Sequence, residues 1–308
     1  MITYVDGDLF QSPAKVLVNT VNTVGIMGKG IAQDFKRLYP DMFRQYQRLC
    51  ENKQLSIGQL WLYKTPQKWI LNFPTKVNWR QKSKPEYIEK GLQKFVATYD
   101  QKSINSISFP LLGCGNGELD WEKEVRPLME RYLKKLPISI YIHVYKKGII
   151  VPEHQNIKAI HAGLQEEPQN LAFIEFWDDL KTVLNSKSKF RTLDTNAVFH
   201  ATLDAQNDGI RISPENQKAI FIAKEEDGLL DLWQYIRTAR YCVPDKLPLG
   251  LDIHAPYVIA LLAELDYLTP VRLSLTNNYE EQIGLQLIPK TLKKVAEVDS
   301  QATIIARE

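Results

Sequence analysis

The chain has 308 residues, 24% of them charged and 44% hydrophobic, with a net charge of +3; that length predicts two domains. Three cysteines, Cys50, Cys114 and Cys242, are too few for a disulfide framework, and no apolar run approaches the roughly 18 residues of a membrane span. The opening MITYVDGDLF has no basic stretch leading into an apolar one, so the expected location is the cytoplasm.

The first strong pattern is KVLVNTVNTVGIMGKG, residues 15–30. Val16 to Val21 reads as a buried strand, since it is apolar and rich in β-branched residues. It runs into Asn19, Asn22 and three glycines, Gly25, Gly28 and Gly30, and then into GIAQDFKRLYP, a helix that stops before Pro40. A strand, a glycine-rich turn and a helix N-terminus make a phosphate-holding arrangement, because bare N–H groups and the helix dipole both favour negative charge. The order G-x-x-G-x-G matches neither the nucleotide P-loop nor the dinucleotide fingerprint. An asparagine at a strand end offers a donor and an acceptor, which suits ribose hydroxyls; the same side chain also serves simply to pin a turn.

Further on, Trp69 to Phe73 reads as a strand ended by Pro74, which sets Lys76 just past a strand end. Arg80, Lys82 and Lys84 follow, and like charges lower the pKa of a neighbouring amine. The segment reads as a reactive lysine, as a phosphate grip, or as a solvated basic loop. Ile104 to Phe109 reads as another strand, ended by Pro110, and GCGNG at 113–117 gives a second glycine loop before a helix from Trp121 to about Leu136. Two such loops suit the two sides of a diphosphate. Cys114, with no placed base, reads as a small thiol lining that pocket. Ile138 to Tyr145 is the last strand of this half, and Tyr145 is a candidate for stacking on an adenine or for packing on the sheet.

Residues 147–170 are polar and broken by Pro152 and Pro168. Beyond them the pattern is α+β. A helix runs from Leu171 to Leu184, a hairpin joins Ala197–Leu203 to Gly209–Ile212, helices cover Leu229–Tyr241 and Pro256–Leu268, and a closing hairpin joins Val271–Leu275 to Ile283–Ile288. The expected organisation is a domain over 1–150, a linker over 151–170 and a smaller acidic α+β domain over 171–308. Charge divides the same way. Residues 1–164 hold 24 Lys and Arg against 14 Asp and Glu, a balance of +10, and residues 165–308 hold 15 against 22, a balance of −7. A basic half suits a polyanion, and an acidic half suits a basic protein, though either balance also serves solubility. The histidines are scattered without metal-ligand spacing, and neither a metal nor a cofactor is expected.

GDLF at 7–10, NTVNTVGIMGKGIA and PLLGCGNGELDW together resemble a macrodomain, an ADP-ribose-binding α/β module with a mixed sheet between helices. NFPTKVNWRQKSKPEYIEKGL, residues 72–92, narrows the resemblance to DarG-type antitoxin macrodomains, over residues 1 to about 146. The resemblance implies that Asp8 binds the adenine amino group with Leu9 beside it, that Asn22 faces the distal ribose, and that Lys76 is the catalytic lysine. It implies that the loops at Gly28–Gly30 and Gly113–Gly117 hold the diphosphate. The ADP-ribose-binding set then comprises Asp8, Leu9, Asn19, Asn22, Thr23, Gly28, Lys29, Gly30, Ile31, Gly113, Cys114, Gly115, Asn116, Gly117 and Tyr145. Trp79, Arg80 and Lys82 are the DNA-binding candidates, through base stacking and phosphate contact.

The implied activity is hydrolysis of the bond between ADP-ribose and a nucleobase in DNA, as the antitoxin of a DNA ADP-ribosyltransferase. The implied partners are ADP-ribosylated single-stranded DNA and that toxin. The alternatives are a non-catalytic ADP-ribose reader and a hydrolase of ADP-ribosylated protein. One departure is visible. The lysine-dependent glycohydrolases of this group carry an aspartate where this chain has Gly117, and the group that moves the proton is then unassigned.

Overall fold

The computed structural model describes residues 1–144, 151–215, 217–225, 227–248, 250–275 and 278–293. The chain divides into two compact units, Met1–Ile160 and His161–Glu308. The stretch expected to be a linker contains a 3-10 turn, Glu153–Gln155, and a helix, Ile157–Gln165, inside which the division falls.

The first unit is built on six strands: β1 (Ile2–Val5), β2 (Val16–Val21), β3 (Trp61–Lys64), β4 (Trp69–Pro74), β5 (Ser106–Pro110) and β6 (Ser139–His143). Their order across the sheet is β1-β6-β5-β2-β4-β3. All pairs are parallel except β3 with β4. Side chains of β2 and β4 alternate between two apolar layers, as the period-two geometry of a strand requires. Val16, Val18, Leu71 and Phe73 pack with Ile88, Leu92 and Met129. Leu17, Val21 and Ile70 pack with Phe35, Met42 and Tyr46 on the other face. Helices α1 (Gly30–Leu38) and α2 (Pro40–Glu51) therefore cover one side, and α3 (Pro85–Thr98) and α4 (Arg126–Leu133) the other. This is the mixed sheet between helices that the sequence predicts.

Two local features set the site. A Cβ placed on Gly91 of α3 would lie 2.1 Å from the Phe73 ring, so a bare glycine lets the helix press directly onto β4. That fixes the strand whose end carries Lys76. The helix expected from Trp121 begins instead as a π-helical turn, Trp121–Val125, in which Val125 N–H donates to Asp120 C=O at 3.1 Å. Pro127, in the first turn of α4, has no N–H to continue an ordinary ladder, so the chain widens and restarts.

The second unit contains α5 (Ile157–Gln165) in part, α6 (Phe173–Ser186), α7 (Leu229–Ala239) and α8 (Ala255–Leu262). Its strands are β7 (Lys189–Arg191), β8 (Val198–Asp204), β9 (Gly209–Pro214), β10 (Ile220–Ala223), β11 (Tyr241–Cys242), β12 (Leu268–Leu275) and β13 (Asn278–Leu287). They form a four-stranded sheet in the order β10-β9-β8-β7 and a three-stranded sheet in the order β11-β13-β12. Both hairpins expected from the sequence are present as antiparallel pairs. Phe176 stacks on Trp233 at 4.5 Å, and the Trp233 indole N–H donates to Leu171 C=O at 3.0 Å. The helix expected to reach Leu268 stops at Leu262, because Leu268 already pairs with Leu287 as the first residue of β12. No described helix is long and apolar enough to cross a membrane.

Candidate functional site

The C-terminal ends of β1, β2, β4, β5 and β6 share one edge, and a cleft of 2060 Å³ opens along it. Parallel α/β sheets place ligands on this edge, where the loops are free to diverge. The cleft is lined by the segment after β1 that holds Asp8 and Leu9, by Asn22, by Lys29, Gly30 and Ile31 at the start of α1, by Lys76, and by Gly113 to Gly117.

The two glycine loops meet. Gly30 has φ +61°, which favours glycine, and a Cβ there would lie 3.0 Å from Asn116 Nδ2 of the second loop. Helix α1 has no side-chain cap, which leaves its first-turn N–H groups to a ligand. Asp8 caps the turn Leu9–Gln11, accepting from Phe10 N–H at 3.0 Å.

Other residues of the expected set do different work. Asn22 is buried and spends its amide on its own loop. Nδ2 donates to Ile26 C=O at 2.7 Å, Oδ1 accepts from Val24 N–H at 3.1 Å, and Tyr46 Oη donates to Asn22 C=O at 2.8 Å. Asn22 thus pins the turn while lining the cleft. Asn19 is fully buried within β2 and donates to Asn72 Oδ1 at 3.0 Å, so it sits inside the sheet and outside the cleft lining. Asn22 stands just past the end of β2, at the edge, and Asn19 stands farther back inside the strand. Thr23 hydroxyl donates to Val77 C=O at 2.9 Å, tying the first loop to the lysine loop; neither it nor Gly28 lines the cleft. Cys114 is half-buried, with Sγ 3.4 Å from Leu112 C=O, a small wall group as expected. Tyr145 lies outside the described residues.

Lys76 is the centre of the arrangement. It is only 5% exposed, so the segment after β4 is no solvated loop at this position. Its Nζ donates to Asn116 C=O and lies 3.7 Å from Glu153 Oε2. Burial lowers the pKa of its ammonium, and Glu153 and Glu118 oppose that shift. The cause differs from the sequence expectation: the groups acting on Lys76 are carboxylates, and it is desolvation that weakens its hold on the proton. Glu153 is itself buried, at 7%, and burial raises its pKa against the pull of Lys76 and Lys29.

Trp79 corrects a second expectation. It is fully buried, and Arg80 lies over its ring at 4.7 Å, so no base can stack on it. An indole beside a basic run looks exposed in sequence, and here the chain turns it into the core. Lys82 pairs with Glu118 at 2.5 Å, which leaves less of its charge for a phosphate.

The absence of a carboxylate at position 117 has a steric cause. A Cβ on Gly117 would lie 2.2 Å from Ser83 Oγ and 2.3 Å from Gly113 C=O, a backbone group that also accepts from Leu119 N–H at 3.0 Å. Asp120 does not replace it, because its carboxylate accepts from Lys123 N–H at 2.9 Å to cap the π-helical turn.

Sequence reasoning missed residues 151–155. Lys29 Nζ donates to Val151 C=O, Gln155 Nε2 donates to Glu118 Oε1, and His154 Nε2 lies 3.2 Å from Glu118 Oε2. Glu153 stands 77 positions from Lys76 within a polar, proline-broken stretch. The only hint in sequence is a lone Glu after Pro152, too common to be informative.

Known proteins match the same region. A family model described as Macro domain matches residues 18–128. ADP-ribose glycohydrolase OARD1 of Bos taurus is 31% identical over 143 residues, 46% of this chain and 90% of that protein. The chain belongs to the macrodomain family. A macrodomain protein of Thermus aquaticus, named DNA ADP-ribosyl glycohydrolase, is 41% identical over 150 residues, and this chain spans 41% of its length. A DNA ADP-ribosyl transferase-DNA ADP-ribosyl glycohydrolase fusion protein of Thermosipho africanus is 39% identical over 167 residues, 47% of this chain and 43% of that protein. Among solved structures, the macrodomain of Thermus aquaticus DarG covers 47% of this chain and 98% of its own, with a TM-score of 0.45. Each of these matches covers less than half of this chain, and the chain spans less than half the length of the Thermus and Thermosipho proteins.

Proposed function

We propose that the first unit binds ADP-ribose in the strand-end cleft and hydrolyses its bond to a nucleobase in DNA. The observation that carries the reading is Lys76, a buried ammonium between the two glycine loops on the ligand edge of the sheet. The backbone of Lys29–Gly30 and Gly113–Gly117 holds the diphosphate, with the N-terminus of α1 supplying positive potential. Asp8 takes the adenine amino group, and Asn22 offers the face of its loop to the distal ribose. The distal ribose then lies against Lys76. There the ammonium polarises the leaving base, acting where negative charge develops as the glycosidic bond breaks. The basic balance of residues 1–164 adds attraction for the phosphates of the nucleic acid.

The names of the Thermus and Thermosipho relatives support DNA as the carrier of the ADP-ribose. They also support an antitoxin role, since in the Thermosipho protein a DNA ADP-ribosyl transferase is fused to the glycohydrolase. In this reading the second unit, with its balance of −7, binds a basic ADP-ribosyltransferase and competes with its DNA.

Turnover tests the central claim. Full-length protein is incubated with a single-stranded oligonucleotide carrying ADP-ribose, and free ADP-ribose is measured. Lys76→Ala is expected to abolish release while leaving ADP-ribose affinity within about threefold, the mark of an interaction made in the transition state. Near-normal release by that variant reduces Lys76 to a phosphate grip. Tight binding without release by the native protein makes the module a reader. Release only from ADP-ribosylated protein moves the substrate from DNA to protein. Failure of residues 165–308 to copurify with the cognate transferase removes the partner assignment.

A further inference from the structure

A hydrolase of this kind must both protonate a leaving base and deprotonate a water, and a lysine alone supplies only the first. The second glycine loop has no room for a carboxylate at Gly117, where a Cβ already meets the backbone carbonyl of Gly113 at 2.3 Å. Asp120 is engaged as a helix cap, and Glu118 is engaged by Lys82, His154 and Gln155. Among the described residues, one carboxylate is within ion-pair reach of Lys76 Nζ. It is Glu153, at 3.7 Å, with a side chain only 10% exposed, and it lines the same cleft.

We propose that Glu153 is the proton acceptor of the reaction and works with Lys76 as a relay. This rests on the glycohydrolase reading and assigns the group that reading lacks. The water oxygen bonds the anomeric carbon while the bond from that carbon to the base nitrogen breaks, its electron pair going to the nitrogen. Lys76 Nζ gives a proton to the nitrogen. Glu153 takes the surplus proton of the water and returns it to Lys76. Water is consumed, ADP-ribose and the free base are released, and both side chains end as they began.

The environment suits both halves of the relay. Burial weakens the hold of Lys76 on its proton and strengthens that of Glu153, which draws the acid and the base towards each other in strength. The separation is wider than a direct charge-assisted hydrogen bond, so the pair is not locked into one. The position of Glu153 is also secured from both sides: Val151 is held by Lys29, and Gln155 by Glu118. A carboxylate from the chain beyond β6 thus stands beside Lys76 in a site whose second glycine loop offers none at position 117.

Glu153→Gln tests this, because it keeps shape and removes the basic oxygen. The full chain is assayed for release of ADP-ribose from the modified oligonucleotide, with ADP-ribose affinity measured by calorimetry. Expected are a fall in kcat of about 10²–10⁴-fold, affinity within about threefold, and loss of the acid limb of the kcat–pH profile. That limb belongs to Glu153 in its setting of Lys76, Lys29 and the Tyr46 phenol, with Glu118 acting on Lys76; it reports the coupled pair. Glu153→Asp, which restores a carboxylate on a shorter stem, is expected to recover about tenfold over Glu153→Gln. Turnover by Glu153→Gln within about threefold of native, or with the acid limb intact, overturns the assignment. A parallel loss of ADP-ribose affinity also overturns it, since the residue then only shapes the cleft. Native protein that binds ADP-ribose and releases none from the oligonucleotide overturns the glycohydrolase reading, and the relay with it.

Discussion

Replacing Lys76 with methionine keeps the buried stem and deletes the ammonium, and the structure sets the size and sign of the result. The side chains of Lys76 and Glu153 are 7% and 10% exposed. Removing one partner of a buried ion pair leaves the other charge uncompensated, at a cost of about 3–5 kcal/mol. Glu153 escapes that cost by taking up a proton. Its pKa is already raised by burial from an ordinary value near 4.5, and losing Lys76 removes the larger of the two cations that restrain the rise. A carboxyl whose folded pKa lies above its unfolded one is stable when protonated and loses stability as pH rises. The destabilisation by Lys76→Met is therefore expected to be small at pH 5 and to approach about 3 kcal/mol at pH 8. Lys76→Ala adds about 2 kcal/mol at both pH values, for three buried methylenes at ~0.8 kcal/mol each. Adding Glu153→Gln to Lys76→Met should remove the pH dependence, because no buried charge is then left. Urea unfolding of the full chain at the two pH values measures all of this, read on the transition of the first unit. A destabilisation by Lys76→Met that is equal at pH 5 and pH 8 would refute the reasoning, for it would mean that Glu153 swings out to water once its partner is gone.

Gly117→Ala should destabilise the first unit by about 1–3 kcal/mol, the usual range for overpacking, because its Cβ meets a backbone carbonyl at 2.3 Å. Gly117→Asp should do the same without raising turnover; a gain in turnover would show that the loop can accept the carboxylate after all. In the second unit, both ring nitrogens of His161 lie 2.8 Å from carboxylates, Asp179 and Glu175, which raise its pKa from about 6.5 to about 9. The stability this contributes is complete below pH 6.5 and is lost as pH rises through 9. Thermal melts of the native protein across that interval should show the decline, and a melting temperature unchanged from pH 6.5 to 9 would refute it. Isolated residues 1–160 should bind ADP-ribose, and no heat of binding at millimolar concentration would remove the cleft assignment.

The sequence by itself determined the strands β2, β4, β5 and β6 and the edge on which chemistry gathers. Val16–Val21 is too apolar and β-branched to be anything but a buried strand, and the glycines after it and after Pro110 mark strand ends where backbone must be bare. Those are local properties, carried by neighbours in the chain. Side-chain direction was not legible. Asn19 and Asn22 look equivalent in sequence, yet the first lies within β2, buried in the sheet, and the second just past its end, at the cleft. Trp79 looks like an exposed aromatic and is core. The basic run after Lys76 suggests repulsion, but side chains nearby in sequence diverge from a loop, and burial sets the proton affinity of Lys76. Glu153 was decided by tertiary structure alone. An ion pair across 77 positions leaves no spacing to detect, because it exists only once β4 and the chain beyond β6 have been brought to the same edge of one sheet.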